Sequence, residues 1–109
     1  MIVASQILPA DNMTLNDYVQ FVLKDVYQNA TQYRIISSSK STLGGFESIK
    51  MTLYEYDAES LKVMRNVAID PKTNIGYIVK YMAHPGMFPK YLPIAEQMMD
   101  SFELLKVAK

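Results

Sequence analysis

The chain has 109 residues, half of them apolar and 20% charged, the size and composition of one globular domain. Eleven lysines and arginines balance eleven aspartates and glutamates, which argues against an electrostatically dominated partner such as nucleic acid. Cysteine is absent, excluding disulfides, thiolate catalysis and cysteine-metal sites, and no apolar run approaches the roughly 18 residues of a membrane span.

Ile2 to Leu8 is short, apolar and rich in branched residues, the pattern of a strand. Pro9-Ala10-Asp11-Asn12 ends it. Thr14, with Asp17 three positions on, predicts a capped helix start, and Met13 is placed to pack on Tyr18 as a hydrophobic staple. Tyr18, Val19, Val22, Leu23, Val26 and Tyr27 recur at helical spacing and predict one buried stripe, with Asn16, Gln20, Lys24 and Asp25 on the wet side. The helix is expected to fray near Asn29. Tyr33 to Ser39 reads as a strand, and Leu43-Gly44-Gly45 as a turn or bulge that uses positive φ.

Phe46 to Tyr56 alternates, with Ile49, Met51 and Leu53 on one face and Lys50, Thr52, Tyr54 and Tyr56 on the other. After a turn over residues 57–60, Leu61 to Ile69 alternates too, with Leu61, Val63, Val67 and Ile69 opposite Met64 and Ala68. Asp70-Pro71-Lys72-Thr73-Asn74 is a strong turn signal. The strand from Asn74 to Met82 is apolar on both faces and needs cover from both sides. The closing segment from Phe88 to Phe102 predicts a helix whose stripe is Tyr91, Leu92, Ala95, Met98, Met99 and Phe102, with Pro93 in or near the first turn. The predicted order is β-α-β-β-β-β-α, an α+β fold with a mainly antiparallel meander of about five strands and two helices.

Met13-Thr14-Leu15-Asn16-Asp17-Tyr18-Val19, the pair Gly44-Gly45 before an alternating strand, and Gly76-Tyr77-Ile78-Val79-Lys80-Tyr81 with Tyr91-Leu92-Pro93-Ile94-Ala95-Glu96 and the ending Asp100-Ser101-Phe102 resemble the PsbP family, and its archaeal PsbP-like domains most of all. The resemblance runs from about Ile2 to Leu104 but lacks the further strands with which such domains usually begin. It implies an α/β/α sandwich shared with DcrB-like envelope proteins. It also implies a non-enzymatic accessory module that docks on a partner protein or membrane-associated assembly, because photosynthetic members dock on photosystem II. A location outside the cytoplasm is expected on that ground; the opening Met1-Ile2-Val3-Ala4-Ser5 lacks the features of a signal peptide, so export or membrane association would rest on a segment outside this chain.

No catalytic constellation and no cofactor motif stands out. His84 is the single histidine and sits in a turn with Pro85 and Gly86, without ligand partners at a useful spacing. Asp57 and Glu59 together offer oxygens to a calcium or manganese ion, the basis of an alternative reading as a small-ligand or metal-binding domain. With Asp70 they also fit solvated turn acids. Lys50, Tyr54 and Tyr56 on one strand face are the candidate partner-binding surface, unless a helix covers them. Asn12-Met13-Thr14 and Asn29-Ala30-Thr31 match the glycosylation triplet. Missing early strands would leave a sheet edge bare, so a homodimer through that edge is expected.

Overall fold

The computed structural model describes residues 2–27, 32–56 and 60–100. Five strands and two helices follow in the order β1 (Ile2–Ile7), α1 (Leu15–Val26), β2 (Tyr33–Leu43), β3 (Phe46–Tyr56), β4 (Ser60–Asp70), β5 (Ile75–Ala83) and α2 (Phe88–Asp100). They form an α+β fold with one antiparallel sheet in the order β1-β5-β4-β3-β2. The meander from β2 to β5 is therefore complete, and β1 returns to pair with β5, Ile7 facing Ile75 and Val3 facing Val79.

Two-residue periodicity sorts the strands onto two cores. Met51, Leu53, Val63 and Val67 pack with Tyr18, Val19, Val22, Leu23 and Tyr27 of α1. Met64, Ala68, Tyr77, Val79 and Tyr81 pack with Phe88, Ala95 and Met99 of α2. Because the strands expose apolar groups on both faces, a helix on each face completes an α/β/α arrangement.

Local chemistry places the first helix as its sequence predicts. Thr14 caps α1 through its hydroxyl, which accepts from the Asp17 N–H at 3.0 Å, while the Asp17 carboxylate accepts from the Thr14 N–H at 3.3 Å. Met13 packs against the core that holds Tyr18. The two-residue turn between Leu43 and Phe46 takes positive φ at both Gly44 and Gly45, as a tight hairpin requires. Gly76 has a different role: a Cβ there would lie under 3.0 Å from the Tyr18 ring. The missing side chain is the slot that lets α1 sit down on β5.

Several expectations change. Strand β2 continues to Leu43 instead of ending at Ser39, because β3 offers a partner all along its length. Val26, expected in the buried stripe, is exposed, since the helix stops there and the chain turns away at Tyr27. Tyr91 and Met98 are also exposed; the face of α2 that meets the sheet is centred on Phe88, Ala95 and Met99. Pro93 lies inside α2, beyond its first turn, because the helix begins already at Phe88; the missing N–H leaves one carbonyl of the preceding turn without its helical donor. Asn29 and Phe102 lie outside the described residues.

Candidate functional site

Glu55 continues the apolar face of β3 that carries Met51 and Leu53, and Arg65 stands between Val63 and Val67 on the same face of β4. Lys80 lies opposite Arg65 on β5. Tyr27 ends α1, its N–H still bonded to the Leu23 carbonyl at 3.0 Å, and so hangs over these three groups. Its hydroxyl donates a hydrogen bond to Glu55 Oε2. Arg65 Nη2 reaches the same oxygen at 3.4 Å and Lys80 Nζ at 3.5 Å. The guanidinium carbon of Arg65 lies 5.8 Å from the centre of the Tyr27 ring, on which Tyr33 stacks with centroids 4.4 Å apart.

This cluster is largely withdrawn from solvent, with side-chain exposures of 5% for Arg65, 14% for Glu55 and 18% for Lys80. Burial opposes ionisation of Glu55, but the Tyr27 hydroxyl and the charges of Lys80 and Arg65 outweigh it and hold the carboxyl below its ordinary range. Burial, and then the hydrogen bond to Glu55, push the Tyr27 phenol up. Burial, reinforced by Arg65, lowers Lys80 against the pull of Glu55. Tyr18, on the same side of the sheet, is pushed up to about 12 by burial and by the charge of Asp25. Its hydroxyl is paired with Gln6 Oε1 at 3.0 Å.

A second surface lies on the α2 side, where the helix does not reach. Strand β2 is an edge strand of 11 residues, and its side chains from Arg34 to Lys40 are all exposed. Its register slips between Ile35 and Ser37, a bulge that leaves Ile36 unpaired and exposed. Next to it on β3, Tyr54 and Tyr56 stack with ring centroids 6.3 Å apart, and Tyr56 is 45% exposed. Arg34 faces Tyr54 across the pair.

Of the residues expected to bind a partner, Tyr54 and Tyr56 thus stand together on a half-open shelf. Lys50 shares their face but turns to α2, 3.7 Å from Glu96. The helix covers part of this face and leaves the tyrosine end open. His84 is exposed, and its carbonyl accepts from the N–H groups of Met87 and Phe88 at 2.9 Å, marking the start of α2. Asp57 and Glu59 lie outside the described residues. Among the described residues no three histidine, aspartate or glutamate side chains gather as a metal site would require. Asp70, expected to be a solvated turn acid, is buried. It closes its own turn instead, accepting from the Lys72 N–H at 2.9 Å and from the Thr73 hydroxyl at 2.8 Å. At the other end of the sheet, open grooves of about 370 and 540 Å³ run beside Leu15 and Glu47 at the start of α1.

The Glu55–Arg65–Lys80 cluster escaped the sequence reading, although one signal was present. Extending the alternation of Ile49, Met51 and Leu53 by two positions puts an acid on the buried face, and Arg65 likewise interrupts Leu61, Val63, Val67 and Ile69. A charged residue on an apolar strand face marks a buried pair or a site. No sequence signal brings Tyr27 and Lys80 to the same place, because that depends on how α1 lies on the sheet.

No family model matches the chain, and no curated protein matches it. Among solved structures it is similar to the crystal structure of a protein of unknown function from Pseudomonas aeruginosa, at 13% identity and a TM-score of 0.71, over 93% of this chain and 81% of that one. At that identity the likeness is one of fold alone.

Proposed function

We propose that the chain is a non-catalytic binding module that docks an extended, acidic segment of a partner protein along β2. The observation that carries this reading is the state of β2 itself. From Arg34 to Lys40 its side chains are exposed, and among the described residues no strand lies beside its outer edge. A long, open edge offers a ladder of backbone donors and acceptors to an incoming strand, and the Tyr54–Tyr56 shelf offers aromatic area beside it. Edge strand β1 is shorter, with 6 residues against 11. Between Tyr33 and Leu43 the strand carries Arg34 and Lys40 and no acid. Two copies pairing antiparallel about Ser37 would set Arg34 against Lys40, and like charges facing each other repel. The same pair of cations attracts an acidic partner strand, so at this edge a heterologous partner is favoured over a second copy of the chain. The resemblance to PsbP domains, whose photosynthetic members dock on a larger assembly, points the same way, and carries with it the proposal of a location outside the cytoplasm.

Photo-crosslinking tests this. A benzoylphenylalanine placed at Ile36 gives an adduct with a partner in extract of the source cells, the same residue at Gln20 on the outer face of α1 gives none, and the double variant Arg34→Glu/Lys40→Glu loses the Ile36 adduct. Equal adducts at both positions, or none at Ile36, count against docking along β2.

A further inference from the structure

The cluster beneath α1 sets two cations against one carboxylate. Arg65 and Lys80 are cross-strand neighbours, and Glu55 is the acid they both approach. Both contacts, together with the hydrogen bond from Tyr27, fall on a single oxygen, Oε2. Arg65 Nε is buried and has no hydrogen-bond partner among the described residues. A guanidinium presents five donors, and a charged donor left unsatisfied in the interior is costly. Beside the cluster, Val26, Tyr27, Gln32, Glu55 and Lys80 line a cleft of about 130 Å³. That is room for about four waters at ~30 Å³ each, or for a single ion of a few heavy atoms.

We propose that this cleft binds a small oxyanion, of the size of phosphate or a carboxylate group, through the Lys80 ammonium with the Arg65 guanidinium behind it. A purely structural role, tying α1 to the sheet, explains the three contacts to Oε2. It leaves the surplus positive charge of Arg65 and Lys80 over Glu55 without an account. An incoming anion balances the charge and accepts from the Lys80 ammonium, which lines the cleft, while Arg65 adds its charge from behind that lining. Glu55 also sets the limit: its negative wall disfavours highly charged ligands and restricts the cleft to small anions of low charge. This site is separate from the docking edge, which lies on β2, so either inference can fail without the other.

The test is a titration of the full-length, ¹⁵N-labelled chain at neutral pH with inorganic phosphate and, separately, with acetate, at ionic strength held constant with sodium chloride. The Arg65 Nε–H correlation and the Lys80 backbone amide are expected to shift and saturate. A response to phosphate alone assigns a tetrahedral oxyanion, and one to acetate alone assigns a carboxylate. Lys80→Gln abolishes the saturating shift. Glu55→Gln, which removes the opposing charge, tightens binding several-fold. An Arg65 Nε–H signal unmoved by either anion overturns the proposal. So does a Lys80→Gln chain that titrates like the wild type, or a Glu55→Gln chain that binds no more tightly.

Discussion

Helix α1 buries Tyr18, Val19, Val22 and Leu23 and is fastened at both ends, by the capping box at Thr14 and by the Tyr27–Glu55 hydrogen bond. Helix α2 buries Phe88, Ala95 and Met99, leaves Tyr91, Ile94 and Met98 open, and contains a proline. It has no acidic residue in its first turn and no basic one in its last, so its own macrodipole goes uncompensated. What holds it is tertiary: the Tyr81 hydroxyl donates to the Phe88 carbonyl at 2.8 Å, Tyr81 and Phe88 pack ring on ring, and Lys62 lies 4.8 Å from the centre of the Phe88 ring. The contrast teaches that a helix with good local signals is seated by shape, whereas one without them is pinned at a few points. A helix pinned at few points is the one expected to open first in local unfolding.

The largest effect that tests this contrast is Tyr18→Ala. Tyr18 is fully buried and fills the slot over Gly76, and its removal costs about 3–5 kcal/mol, read by urea denaturation. A loss below about 1 kcal/mol would show that α1 is not seated by this contact. Next is Gly76→Ala, which pushes a methyl group into the same ring and lowers stability by about 1–3 kcal/mol. Pairing it with Tyr18→Val makes room for the methyl, so the combined loss is smaller than the sum of the two single losses; strict additivity would mean that the slot and the ring are independent.

The smallest effect is one of pH. Because the folded state holds the Glu55 carboxyl below its ordinary value, its contribution to stability is fully present above the unfolded pKa of about 4.3 and fades as pH falls through the lower folded value. Glu55→Gln therefore flattens the acid limb of a plot of stability against pH. Glu96→Gln, which removes the more exposed partner of Lys50 on the α2 side, costs little stability at neutral pH, since exposed pairs contribute little. If Glu96→Gln cost as much stability at neutral pH as Glu55→Gln, the distinction between the faces would be lost.

Much of the architecture was legible before any coordinates. The capping box, the glycine turn at Gly44-Gly45 and the alternation of β3 and β4 are local devices. Their chemistry acts over three or four residues, so the chain displays them directly. The same holds for the burial of Tyr18, Val19, Val22 and Leu23, where the helical period alone sorts inside from outside. The stripe of α2 differs at Tyr91 and Met98 because its apolar arc, running from Ile94 through Met98 and Tyr91 to Ala95, Phe88, Met99 and Leu92, is wider than the face that meets the sheet; periodicity gives the arc and not the part of it that is covered.

What this sequence determined by itself is the order of elements and the two-sided apolar character of the central strands, because both are set by neighbours in the chain. Only the tertiary structure decided that β1 pairs with β5, which makes β1 and β2 the two edge strands of the described sheet. It alone brought Tyr27, Glu55, Arg65 and Lys80 from four elements to a single carboxylate oxygen. The reason is physical: pairing order and helix placement depend on contacts between residues far apart in the chain, and no local period records them.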